Sequence, residues 1–119
     1  MNPKLILSVV LVILVLLGGA VFLTRPPSAP SAQLDQFAKC LADKGITMYG
    51  ADWCPHCQNQ KKLFGSSFQY VPYVECPNVP KLCVDKGVNG YPTWILGDTK
   101  LEGEQSLAKL SEISSCPLP

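Results

Sequence analysis

Leu5 to Leu23 is a run of nineteen residues broken only by Ser8, Gly18 and Gly19. No other feature limits the chain's folding options as strongly. As a helix rising about 1.5 Å per residue it spans ~28 Å, close to the hydrocarbon thickness of a bilayer. The apolar core of a secretory signal is usually shorter, roughly 7–15 residues. The length therefore favours an uncleaved transmembrane anchor over 5–23. The competing reading is a long signal peptide cut after Ala32, nine residues beyond the apolar run. No cysteine follows the run closely, which argues against a lipoprotein.

The run also fixes how much chain is left to fold. Residues 1–4 read as a short cytoplasmic end, with Lys4 tipping the charge balance slightly inward. Residues 24–32 hold three prolines and no large apolar side chain, and read as a semi-extended linker reaching ~28 Å. Residues 33–119 suit one compact core and not two. That stretch carries eight Lys against nine Asp or Glu with no basic stripe, so nucleic-acid binding has no electrostatic support.

All six cysteines, Cys40, Cys54, Cys57, Cys76, Cys83 and Cys116, fall within residues 33–119. An even count at this density behind an apolar segment points to an oxidising compartment. The domain is therefore expected on the extracytoplasmic side of the membrane.

Local signals order the elements. A helix carries Leu34, Phe37, Ala38 and Leu41, with Ser31 able to cap it and Gly45 ending it. A short strand covers Ile46 to Tyr49. After a turn, a helix runs from Pro55 to Phe64, with Gly65 beyond. A second strand is read over Gln69 to Cys76, and a short helix over Lys81 to Lys86. Thr93 to Leu96, Gly97-Asp98 and Thr99 to Glu102 form a hairpin. Ser106 caps a last helix carrying Leu107, Leu110 and Ile113. Strands separated by helices and closed by a hairpin imply an α/β sandwich with a mixed sheet.

The chemistry concentrates at Trp53-Cys54-Pro55-His56-Cys57, where a strand hands over to a helix. Cys54 falls at the N-cap and Pro55 at the first helical position, where a missing N–H costs nothing. Cys57 lies one turn on, so the two sulfurs can meet. The helix N-terminus favours a thiolate at Cys54, and His56 is expected to favour it further. Pairs in this setting span ~−270 to ~−120 mV, the stronger oxidants being those whose reduced thiolate is more stabilised. Pro55-His56 points toward the oxidising end. Zinc binding by Cys54, Cys57, Cys76 and Cys83 competes with this reading. But six residues separate Cys76 from Cys83 and Pro55 suits a helix start, so no metal site is expected. Gly90-Tyr91-Pro92-Thr93 is the second informative element, a proline leading into an apolar strand that suits a cis peptide beside a ligand.

Together, Tyr49 to Cys57 and Tyr91 to Trp94 resemble the active-site and cis-proline loops of thioredoxin-fold oxidoreductases. Met48-Tyr49-Gly50-Ala51, Lys62-Leu63-Phe64-Gly65 and Pro72-Tyr73-Val74-Glu75-Cys76 are similar to a narrower group. That group is the thioredoxin-like domain associated with bacterial and plant homologues of vitamin K epoxide reductase. The resemblance covers roughly residues 33–114 and implies a thioredoxin-like three-layer sandwich with a mixed central sheet. It implies that Cys54 is the exposed nucleophile, Cys57 the resolving cysteine, Trp53, Pro55 and His56 tuners, and Tyr91-Pro92 the substrate contact. It implies no cofactor beyond the Cys54–Cys57 disulfide. That disulfide would oxidise cysteines of exported proteins and be renewed by a vitamin K epoxide reductase homologue or an analogous quinone-linked membrane oxidase. The chain departs from the wider pattern at Met48, where many thioredoxin-like proteins carry a buried acid that accepts the proton of the second cysteine.

Four cysteines remain, with three possible pairings. A Cys76–Cys83 bridge across the Pro77–Leu82 loop is geometrically easy, and the similar group also carries cysteines there. Cys40 and Cys116 would then tie the domain's ends together. An electron-relay role for Cys76 and Cys83 is the alternative to a structural one. Two other functions remain open: a reductase or isomerase running the chemistry backwards, and a copper or zinc carrier using Cys54 and Cys57 as ligands.

Overall fold

A computed structural model describes residues 2–23 and 29–119, with side chains for 2–18 and 31–119. The apolar run forms helix α1, Pro3–Leu23. Among the described residues, however, no helix is long and apolar enough to cross a membrane, so the transmembrane span expected over 5–23 is not supported here. The expected linker lies partly outside the described residues, at 24–28. Its remainder is a correction: helix α2 begins at Ala29 and runs to Asp43. Pro30 is tolerated there because a proline in the first turn has no intrahelical N–H bond to lose. Ser31 consequently sits inside the first turn instead of capping it.

Strand β1 (Thr47–Gly50) follows Gly45, whose φ of 80° turns the chain out of α2. Helix α3 (Pro55–Phe64) then returns the chain so that β2 (Tyr73–Glu75) pairs parallel to β1, Met48 opposite Tyr73 and Gly50 opposite Glu75. Parallel pairing requires such a crossover. The second strand is shorter than the alternation of Gln69 to Cys76 suggests. Gly65–Tyr70 is instead a 3-10 turn. Its Ser67 is buried and bonds Asp35 of α2, and the Phe68 ring packs edge-on to Phe64 and Tyr73. Pro72 has no N–H for a ladder and offers β1 only its carbonyl, to Met48 N at 2.9 Å.

Helix α4 (Pro80–Asp85) leads through Gly87 to β3 (Thr93–Leu96), which runs antiparallel to β1, and β4 (Thr99–Glu102) closes the hairpin. The sheet order is β2-β1-β3-β4. Helix α5 (Leu107–Ser114) is capped by Ser106, whose hydroxyl accepts from Lys109 N at 3.1 Å. A four-stranded mixed sheet with these helices fits the thioredoxin-like arrangement.

The core draws Phe37 and Leu41 from α2, Met48 from β1, Cys57 and Phe64 from α3, Trp94 from β3 and Leu110 from α5. Phe64 is its centre, with the rings of Phe37, Phe68 and Trp94 all about it at 6.0 to 6.2 Å. Polar side chains are buried as well, Gln60 among them. Gln60, fully buried, accepts from Trp94 Nε1 at 3.2 Å and Gln105 N at 2.6 Å, and donates to Gln105 O at 2.9 Å. Gln60→Leu keeps the volume but leaves two N–H donors and a carbonyl without partners. Each orphaned group costs about 1–3 kcal/mol, so a loss near 3 kcal/mol is expected in urea unfolding. A loss below about 1 kcal/mol would mean that Gln105 finds other partners.

Candidate active site

The β1–α3 turn emerges at the carboxyl end of β1, the edge where open α/β sheets place their sites. Cys54 is the N-cap of α3, with φ −76° and ψ 122°, and Pro55 begins the helix. The turn is held by Cys54 N donating to Ala51 O at 3.0 Å and by Gln58 Nε2 donating to Asp52 O at 2.9 Å. Cys54 and Cys57 are the two free thiols; the structure joins Cys40 to Cys116 and Cys76 to Cys83. With Cys76 and Cys83 bonded to each other, neither can complete a metal set with Cys54 and Cys57. Among the described residues no three potential ligands cluster.

Cys54 is less open than a freely exposed nucleophile. Its relative exposure is 6%, against 0% for Cys57. The Tyr91–Pro92 peptide is cis, and the Tyr91 carbonyl accepts from Cys54 Sγ at 3.7 Å. A backbone acceptor thus lies beside the sulfur. Trp53 stands beside this edge, exposed and packed edge-on to Tyr91.

The placement of His56 differs from the sequence expectation. Its ring is largely exposed, and Nδ1 donates to Glu104 Oε1 at 2.7 Å instead of reaching Cys54 Sγ. Asn59 Nδ2 donates to the same oxygen at 3.3 Å. These two bonds, that from His56 first, hold the Glu104 carboxyl below the usual glutamate range. Any charge His56 carries is therefore offset by a carboxylate, which weakens it as a promoter of the Cys54 thiolate.

Burial pushes the Cys57 thiol up from 9.0 to about 11, with an Ala51 backbone hydrogen bond opposing and Cys54 adding to the rise. A raised thiol pKa means the folded state holds its proton more tightly than the unfolded chain. Stability of the reduced protein is then full below pH 9 and falls as pH climbs toward 11, while the Cys54–Cys57 disulfide form has no such proton to lose. The gap in melting temperature between oxidised and reduced protein is expected to shift toward the oxidised form over that interval. A gap constant from pH 8 to 11 would contradict this.

Behind Cys57 lies a group of side chains absent from the sequence reading. Tyr73 Oη donates to Glu75 Oε2 at 2.5 Å, and Glu75 Oε1 accepts from Asp52 N at 3.1 Å. Lys61 Nζ lies 4.0 Å from the centre of the Tyr73 ring and 2.6 Å from Asp52 Oδ1. The Lys61 hydrogen bond holds the Asp52 carboxyl below its ordinary range. Burial, and then the bond to Glu75, push the Tyr73 hydroxyl well above its ordinary range. One signal for the pair was available: alternation along β2 puts residues 73 and 75 on one face. For Gln60 it was helical spacing, since 57, 60 and 64 share a face of α3.

No family model matches the chain. It is 39% identical over 106 residues to thiol-disulfide oxidoreductase LTO1 of Arabidopsis thaliana, an alignment covering 82% of this chain and 28% of that protein. It is 32% identical over 85 residues to protein disulfide isomerase-like 2-2 of Oryza sativa subsp. japonica, covering 59% of this chain and 23% of that one. The chain thus spans about a quarter of the length of these curated relatives. Both similarities support a thioredoxin-like thiol–disulfide oxidoreductase.

Proposed function

We propose that the chain exchanges disulfides through Cys54 and Cys57, oxidising cysteines of exported proteins while tethered to a membrane by α1. The observation that carries the exchange reading is the free Cys54–Cys57 pair at the start of α3, with Cys54 Sγ against the carbonyl of the cis Tyr91–Pro92 peptide. In oxidation, a substrate thiolate attacks Cys54 Sγ of the disulfide and Cys57 leaves as a thiolate. A second substrate thiolate then attacks the mixed disulfide at the substrate sulfur, and Cys54 leaves. The substrate loses two electrons and the pair gains them. Tyr91 supplies backbone to align the incoming strand, and Trp53 an apolar edge.

Two further observations support the location. Twelve large apolar side chains between Leu5 and Leu17 are exposed, and a helix apolar on every side suits a lipid environment. The other four cysteines form two cross-links, which persist in oxidising compartments. Both links are nearly or wholly buried at Cys76, Cys83 and Cys116, which suits a structural role better than an electron relay. The renewing partner would be a quinone-linked membrane oxidase of the vitamin K epoxide reductase type, proposed from the resemblance at residues 48–51, 62–65 and 72–76. The test is the reduction potential of the Cys54–Cys57 pair in a glutathione redox series. A value well above ~−270 mV, toward ~−120 mV, is expected. A value near ~−270 mV would reverse the direction and make the chain a reductase.

A further inference from the structure

Met48 occupies the position from which a buried acid would serve Cys57, and its side chain is fully buried with no proton to give or take. Cys57 nevertheless has to lose a proton to attack, or gain one after leaving. We infer that Tyr73 and Glu75 relay that proton between Cys57 and solvent, a role that rests on the exchange reading above.

The path begins at Gly50. A Cβ there would stand 2.7 Å from Cys57 Sγ, 3.2 Å from Tyr73 Cε2 and 3.5 Å from Tyr73 Oη. Glycine keeps that space open, and the sulfur and the phenol border it together, near enough for transfer through one water. From Tyr73 the hydroxyl already donates to Glu75 Oε2 at 2.5 Å. Glu75 is only half-buried, and its other oxygen accepts from the backbone of exposed Asp52 at 3.1 Å. The line therefore runs from a wholly buried sulfur to a carboxylate in reach of water.

The neighbouring charges suit the task. Tyr73 faces Glu75 from its own strand, Asp52 from the β1–α3 turn, and Cys57 and Lys61 from α3. Cys57 faces Cys54 and Lys61. Lys61, held by Asp52 against the Tyr73 ring, is the one cation in this set and favours negative charge on either sulfur or phenol. Because the Tyr73 hydroxyl resists ionisation, it serves as a conduit and not as the resting base. Glu75 is the terminal acceptor.

In the reducing direction Cys54 Sγ carries a mixed disulfide with substrate. Cys57 passes its proton through a bridging water to Tyr73 Oη as Tyr73 passes its own to Glu75. The Cys57 thiolate attacks Cys54 Sγ, the Cys54–substrate bond breaks, and substrate leaves as a thiolate. The pair loses two electrons and the substrate gains them. In oxidation the same steps run backwards: Cys57 departs as a thiolate and Glu75 returns a proton through Tyr73. The relay thus serves either direction of net flow.

The test uses the reduced full chain and an aromatic disulfide that releases a coloured thiolate. The first equivalent released reports attack by Cys54; the second reports resolution by Cys57. Tyr73→Phe and Glu75→Gln are each expected to slow the second release about tenfold or more at neutral pH, as loss of acid–base assistance does. The slowing should shrink as pH approaches 11, and the solvent deuterium isotope effect on the second release should fall toward unity. The double variant should be no slower than the worse single one. A smaller slowing, a slowing with an unchanged pH profile, or an equal slowing of both releases overturns the relay. If the unaltered chain releases neither equivalent, it is the exchange reading that fails, and the relay falls with it.

Discussion

Cys54→Ser is expected to abolish thiol–disulfide exchange without weakening the fold. A serine hydroxyl stays protonated and is a far poorer nucleophile than a thiolate. Cys57 cannot take over. It is wholly buried, and with its thiol pushed to about 11 only about one molecule in ten thousand carries the thiolate at pH 7. Exchange should therefore drop by roughly a thousandfold or more. The fold should hold because Cys54 makes no side-chain cap bond to α3, whereas serine is among the preferred N-cap residues. Melting temperature is expected to stay level or rise slightly. Cys57→Ala has the opposite kinetic signature: attack at Cys54 proceeds and mixed disulfides accumulate, recoverable after acid quenching. Exchange retained in Cys54→Ser above about one percent of the unaltered chain would move the nucleophile elsewhere.

The parts of the structure readable in the sequence are those written in local signals. Pro55 and Gly65 bracket α3 at the observed residues, Gly97-Asp98 marks the β3–β4 turn, and Ser106 caps α5. Each depends on backbone chemistry within a few residues. The segment after Gly65 misled because Gln69 to Cys76 alternates as a strand does. Only packing of Ser67 on Asp35 and of Phe68 on Phe64 makes Gly65–Tyr70 a 3-10 turn that takes in Gln69 and Tyr70. The same division holds at the site. Cys54, Cys57 and Tyr91-Pro92 carry recognisable spacing. Glu104 meets His56 from 48 residues away and Glu75 meets the backbone of Asp52 from 23, and neither meeting has a sequence signature. His56 shows the consequence. Read locally it stabilises the Cys54 thiolate; read in the fold it is paired with a carboxylate. The partner of His56 thus comes from the loop between β4 and α5, far in sequence from the two residues between the cysteines.

Loss of the Cys40–Cys116 bridge is expected to be the most damaging single change to stability. The bond ties α2 to the chain just beyond α5, across a sequence separation of 76, whereas Cys76–Cys83 spans only 7. In the chain-entropy relation, a bridge stabilises by limiting the unfolded chain, more so for a longer loop. The two bonds are then worth about 4.5 and about 2.4 kcal/mol. Domains of this size are stable by only about 5–15 kcal/mol, so the first figure is a large share of the total. Removal also strips a buried contact, because Cys116 is nearly inaccessible and packs in the same core cluster as Phe37 and Leu110. Cys40→Ser/Cys116→Ser should therefore lower the urea midpoint about twice as far as Cys76→Ser/Cys83→Ser. A reductant strong enough to open Cys40–Cys116 should reproduce the first shift in the unaltered chain. Equal losses from the two double variants would show that loop length does not govern these bonds. The bridges hold α2 and the loop after β2 beside the Cys54–Cys57 pair. Cys76, Cys83 and Cys116 are nearly or wholly buried, so an attacking thiolate has little access to them, whereas Cys40 is partly exposed.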